Sequence, residues 1–330
     1  MHIPENYLSP STCAVATIAM LPVWATAVKH VRDEVPRDKV PLLGVAAAFS
    51  FLAMMFNIPL PGGTTGHAVC GTLIAILFGP WSATLAVSIA LAIQAVFFGD
   101  GGILSLGANC FNMAFALPHV GYYIYRAISE RIEGERGKLV GAGAGSYIGL
   151  NAAALLCALE FGVQPLLFAD ANGAALYCPY PISIAVPAMM LGHLTVAGLA
   201  EVIFTVGILS FVHAAAPSFG IETHDSSASG VPMPVLALIL ALVIACPLGL
   251  IATGDAWGEW ATEDLAQMVG YTPAGLGNGW EWSSLMPDYS VGSLPEWIGY
   301  IISAVIGVAL LVIIFRLMAN ASKPVVDFDA

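Results

Sequence analysis

The chain has 330 residues, of which 58% are hydrophobic and 10% charged. A soluble globular chain carries ~25% charged residues, so this composition reads as an integral membrane protein and excludes a disordered or disulfide-stapled secreted chain. The formal net charge of −12, from 10 Lys and Arg against 22 Asp and Glu, leaves no basic surface for nucleic acid.

A bilayer crossing takes ~20 mostly apolar residues. On that measure the candidate spans fall at 9–28, 40–57, 68–79, 81–98, 103–125, 139–162, 182–212, 233–253 and 297–318, nine in all. The third is short and ends at Gly79-Pro80, which fits a half-helix rising from a loop buried in protein. Span six carries GAGAGS at 141–146, a small-residue face that lets helix backbones approach closely. Residues 213–231 are polar and bear Ser, Gly and Pro, so they read as a linker. A two-span hairpin follows, with a loop near 254–296 that is rich in Trp and acid and has no Lys or Arg. The expected architecture is an all-α bundle of about seven helices over 1–212, a cytoplasmic linker at 213–231 and a two-helix module over 232–330.

Basic residues mark the cytoplasmic side. Lys29, Arg32, Arg37 and Lys39 follow span one; Arg126, Arg131, Arg136 and Lys138 follow span five; Arg316 and Lys323 follow span nine. With nine crossings all three groups share one side, which sets the N-terminus outside and the C-terminus in the cytoplasm. The opening Met-His-Ile-Pro has no basic n-region of a cleavable signal, so Met1 is expected to stay.

That opening is the first candidate site. The terminal amine, the backbone nitrogen of His2 and His2 Nδ1 can close adjacent chelate rings on one metal ion, in one plane. Planar nitrogen sets suit Ni(II) and Cu(II). Binding through the backbone nitrogen expels its proton, so affinity rises with pH. The second candidate lies in FNIPLPGGTTGHAVCG, residues 56–71, whose glycines permit a tight loop. It delivers His67 at membrane depth, either as a fourth nitrogen or as a residue that holds the loop. His30 and His213 fall at cytoplasmic ends, His224 falls in the linker, and His119 and His193 are mid-span polar groups.

Other intramembrane polar groups are Asn57, Gln94, Asn109, Asn112, Glu160 and Glu201. Asn109 and Asn112 share a helix face. They, with Asn57, read as partners for a ligating His or as helix–helix glue. Glu201, two turns beyond His193, needs a partner or a cavity; the pair is assigned to coupling with another subunit. The six cysteines (Cys13, Cys70, Cys110, Cys157, Cys178 and Cys246) form no CxxC pair and read as small apolar residues, with Cys178 in a loop.

MHIPENYLSP, NIPLPGGTTGHAVCGTLIAILFGPW and FFGDGGILSLGANCFNM closely resemble the CbiM/NikM family, the substrate-binding components of energy-coupling-factor importers for cobalt and nickel. The likeness covers about residues 1–212. It implies metal held by Met1, His2 and His67, with no catalytic residue and no organic cofactor. It also implies a prokaryotic cell-membrane location. The implied partners are a transmembrane T component and two cytoplasmic ATPases; this chain has no P-loop of its own. The usual opening is MHIPDG, so Glu5-Asn6 departs from the pattern. AWGEW and MPDYSVG are similar to the accessory CbiN/NikN- or PDGLE-type subunit, which the family needs for metal loading; an acidic loop would attract cations to the outer mouth. Cobalt, feeding cobalamin synthesis, is the first expectation and nickel the alternative. An intramembrane metalloenzyme would need a motif such as HExxH, which the chain lacks. A structural scaffold would leave the outer nitrogen set unexplained.

Overall fold

In a computed structural model that describes residues 1–220 and 230–321, the chain is an α-helical membrane bundle with one small β-hairpin. Helix α1 (Pro10–Glu34) starts where proline is tolerated, and the Ser9 side chain caps it by accepting from the Thr12 N–H at 3.1 Å. Val15, Ile18 and Leu21 on α1 are exposed, the mark of a helix on the lipid side of the bundle. Helix α2 (Val40–Met55), by contrast, is buried almost throughout. Strands β1 (Ile58–Leu60) and β2 (Thr64–Gly66) pair antiparallel with Ile58 opposite Gly66, and Gly62 and Gly63 turn the chain with positive φ.

Helix α3 (Gly71–Phe78) has eight residues, about 12 Å of rise, and cannot cross a bilayer. It is the half-helix expected at the third apolar stretch. Helix α4 (Pro80–Ile93) ends in a π-helical turn at Gln94–Phe98. The next crossing is broken into α5 (Leu106–Asn109), a π-helical segment at Cys110–Ala116 and α6 (Leu117–Ser129). Helix α7 (Gly134–Leu167) lies against α6 at glycine: a Cβ on Gly145 would stand 2.4 Å from the Gly121 carbonyl. Helices α8 (Ile182–Gly192) and α9 (Gly198–Ala215) are joined through a third π-helical turn at His193–Ala197. His213 lies in helix α9, so the proposed linker begins within that helix; its residues 221–229, which include His224, lie outside the described residues, as does Lys323.

Helix α10 (Met233–Ala245) leads through a 3₁₀ turn to the acidic segment, which carries α11 (Thr262–Val269) and α12 (Ala274–Gly277) before α13 (Glu296–Ala321). Helix α13 is seated along α2, where a Cβ on Gly307 would meet the Phe51 ring at 2.2 Å. The C-terminal hairpin thus packs on the main bundle.

Among the described residues, six helices are long and apolar enough to cross a membrane, and Val40–Met55 is a shorter apolar helix. The count differs from nine because α2 and α3 are short and the α5–α6 crossing, which carries Asn109, Asn112, Pro118 and His119, is less apolar than the six. The chain is a multi-pass membrane protein. Its helix ends sort into two sets. One set gathers the basic residues: Arg37 Nε donates to the Ala319 carbonyl at 2.6 Å and Lys39 Nζ to the Ser218 carbonyl at 3.1 Å. The opposite end gathers the N-terminal peptide, the β-hairpin and the acidic segment.

Candidate metal centre

The first nine residues are not a free tail. They enter the bundle as a peptide that turns at Glu5-Asn6 and is tied to its surroundings by a series of hydrogen bonds. Asn109 clamps Ile3, accepting from its N–H at 2.8 Å and donating to its carbonyl at 3.1 Å. Gly102 N–H and Ser105 Oγ reach the same carbonyl at 2.8 and 2.6 Å. Glu5 accepts from the backbone N–H groups of Ile103 and Leu104. Asn6 takes φ 64°, a conformation asparagine tolerates better than most residues; the EN pair that departs from DG therefore has its own local partners. Tyr7 and Ser9 continue the tether to the Trp260 carbonyl at 2.7 Å and to Gln164 at 2.9 Å. Met1 and His2 are consequently buried, at 3% and 2% exposure.

The β-hairpin brings His67 to the same place. Its Nε2 lies 3.2 Å from His2 Nδ1, and its Nδ1 lies 3.2 Å from the Ala68 carbonyl. A carbonyl accepts only, so Nδ1 carries the proton and Nε2 presents a lone pair. Burial pushes the His2 imidazole down to about 4 and the His67 imidazole well below its usual value, the neighbouring His2 and terminal amine adding to the latter. Both rings are neutral donors at neutral pH. Burial alone would depress the Met1 amine, but the Glu259 carboxylate, 2.8 Å away, outweighs it and holds the amine above its ordinary value.

Two acids complete the cluster, and neither was among the residues expected as ligands. Asp100 Oδ1 stands 3.1 Å from His2 Nδ1, and ligand atoms of His2, Asp100 and Glu259 all lie within 4.8 Å of one another. Both acids sit inside motifs the sequence makes conspicuous, FFGDGG and AWGEW, but nothing in spacing says that a loop near residue 259 reaches residue 1. They border a cavity of about 620 Å³ whose wall also carries Asp255, Asp288 and Glu296. The expected acidic mouth is thus folded onto the site. Trp257 and Trp260, both half-buried, pack against Tyr180, at 5.5 and 5.8 Å between ring centres.

The other expected residues fall elsewhere. Asn57 lines the cavity. Asn109 serves the peptide at Ile3 and Asn112 donates to Glu160 at 2.6 Å; among the described residues neither bonds His67. Glu201, assigned to coupling, is fully buried and accepts from the N–H groups of Val69 at 2.7 Å and Cys70 at 2.9 Å. The two N–H groups it satisfies lie just ahead of the half-helix α3. His193 bonds the Met189 carbonyl at 2.8 Å and lines a small cavity beside Met1. All six cysteines are free and buried; Cys178, in its loop, donates its N–H to the Tyr7 carbonyl at 3.0 Å.

The fold and the site define a polytopic membrane protein whose own N-terminus is folded into a buried, nitrogen-rich cluster. Residues 2–219 match the family model described as the cobalt uptake substrate-specific transmembrane region, CbiM, and residues 233–323 match the PDGLE domain. The chain belongs to the CbiM family. The fused nickel transport protein NikMN of Rhodobacter capsulatus is 48% identical over 94% of this chain and 95% of its own length. The cobalt transport protein CbiM of Acetoanaerobium sticklandii is 37% identical over 40% of this chain and 55% of its own. A crystal structure of a truncated transition metal transporter matches with TM-score 0.61 and 51% identity, covering 65% of this chain and 99% of that one. The chain is a membrane transport protein and not an enzyme.

Proposed function

We propose that this chain captures a divalent nickel or cobalt ion on the outer face of the membrane for an ATP-driven energy-coupling-factor importer. The ion is held in one plane by the Met1 amine, the backbone nitrogen and Nδ1 of His2, and Nε2 of His67. The observation that carries this reading is the 3.2 Å approach of His67 Nε2 to His2 Nδ1, with both rings buried and neutral. Two donors of one plane stand about 3 Å apart when each is ~2 Å from the ion. The bundle end with the basic residues faces the cytoplasm, which puts the site, the N-terminus and the acidic cavity outside and the C-terminus inside.

The reading has two modules: a metal-binding unit over 1–212 and a loading unit over 232–330 joined by the 213–231 linker. The T component and two ATPases supply the coupling. The planar nitrogen set and the likeness to a full-length fused nickel transporter move the first reading from cobalt to nickel; cobalt is supported by the family model's description. The test is metal binding to the purified chain, with and without a residue added ahead of Met1. The added residue abolishes binding if the amine is a ligand; retained binding at full affinity overturns the reading.

A further inference from the structure

A second cavity lies away from the metal centre, on the flank of the bundle. The stripe Leu85, Ser88, Ala92 and Val96, with Trp24 of α1 and Ile314 of α13, lines an apolar groove of about 410 Å³. Ser88 Oγ accepts from Trp24 Nε1 at 3.0 Å, so this polar pair in the wall needs no water. The groove belongs to the crossing Pro80–Phe98. Val15 and Ile18 of α1 and Ile313 and Leu317 of α13 are exposed, so the helices on either side of it face lipid.

The length of the groove selects its occupant. From Leu85 to Val96 the chain rises ~16 Å, close to half of the ~30 Å hydrocarbon core. A partner helix would need a track across the whole core. A track one leaflet deep fits an acyl chain.

The groove ends where the C-terminal segment sits. Trp282 Nε1 donates to the Val96 carbonyl and the Met286 N–H to the Phe97 carbonyl, each at 2.9 Å. Trp280 and Trp282 stack with ring centres 6.1 Å apart, and each is nearly half exposed. Tryptophan favours the membrane–water interface, so this pair stands at headgroup level. Glu281 between them is exposed, and residues 254–296 hold acids but no Lys or Arg. Such a surface repels an anionic headgroup and attracts an ammonium, which indole faces also hold by cation–π attraction.

We propose that this groove binds one phospholipid with an ammonium-bearing headgroup, its acyl chain along α4 and its headgroup over Trp280 and Trp282. The walls come from both parts of the chain: α1 and α4 belong to the main bundle, and α13 and the Trp pair to the C-terminal module. The lipid bridges the two and stabilises their docking.

The experiment uses the full chain in detergent, stripped of lipid and then mixed with phosphatidylethanolamine or with phosphatidylglycerol. Native mass spectrometry reads the lipid retained, and thermal unfolding shows that each variant is folded. Wild type is expected to retain one phosphatidylethanolamine in preference to phosphatidylglycerol by about tenfold, and to melt higher with it. Ala92→Phe fills the groove and loses both lipids. Trp280→Ala leaves the groove open but loses the preference; this variant decides the matter if Ala92→Phe does not fold. Equal retention of the two lipids by wild type, or the same occupancy in Ala92→Phe as in wild type, overturns the proposal. So does a second copy of the chain in the wild-type particle that Ala92→Phe removes, because the groove is then covered by protein.

Discussion

The Met1 ammonium and the Glu259 carboxylate, 258 positions apart in the chain, form an ion pair of 2.8 Å with the amine almost wholly buried. The pair closes the molecule on itself: the C-terminal segment neutralises the group with which the N-terminal peptide would grip a metal. Removing one partner of a buried pair leaves an uncompensated charge. Glu259→Gln therefore frees the amine to release its proton more readily while loosening the peptide's seat. Its expected signature is a lower apparent proton affinity of the amine and a lower melting temperature of the metal-free chain, read by thermal unfolding in detergent. An unchanged melting temperature speaks against the pair.

Metal binding should strengthen with pH. The two imidazoles are already neutral near pH 7, because burial depresses both, so they contribute no pH dependence there. The amine is held protonated by Glu259, and the His2 backbone nitrogen carries its proton until the ion displaces it. Binding then expels about two protons, and apparent affinity climbs by up to ~100-fold per pH unit below the amine's own value. Competition titrations between pH 6.5 and 8 check this; a flat profile contradicts it.

Asn109→Ala removes two hydrogen bonds to Ile3, each contributing about 0.5–1.5 kcal/mol. The peptide loses its clamp one residue beyond the ligands, and metal affinity should fall by roughly tenfold or more. Asn112→Ala, whose partner is Glu160, should change affinity far less. Equal effects would mean that neither acts through the peptide.

Glu201→Ala strips the acceptors from the N–H groups of Val69 and Cys70. Unsatisfied buried donors cost ~1–3 kcal/mol each, so destabilisation on the order of 2–6 kcal/mol is expected. Because the same backbone carries His67, metal affinity falls with it. A variant that melts like wild type would contradict this structural role.

Much of this was legible in the residues. Composition set the class, the Gly-rich motif placed His67 beside a half-helix, and Met1-His2 can form a planar chelate by covalent geometry alone. What stayed hidden depends on long-range docking. Asn109 sits one turn from Asn112 in a motif where both looked alike, yet a π-helical segment directs one to Ile3 and the other to Glu160. Glu201 reads as a costly intramembrane charge, and only the fold supplies the two N–H groups that stabilise it. Glu259 could not be placed, because no periodicity records that a loop late in the chain returns to residue 1.

The central claim is that the chain's first amine and two imidazoles hold one ion together. The direct measurement is the anomalous difference map of the nickel-loaded full chain. The account predicts one peak roughly 2 Å from the Met1 amine, from the backbone nitrogen and Nδ1 of His2, and from His67 Nε2. A peak elsewhere, with the Met1 amine still paired to Glu259, would contradict it.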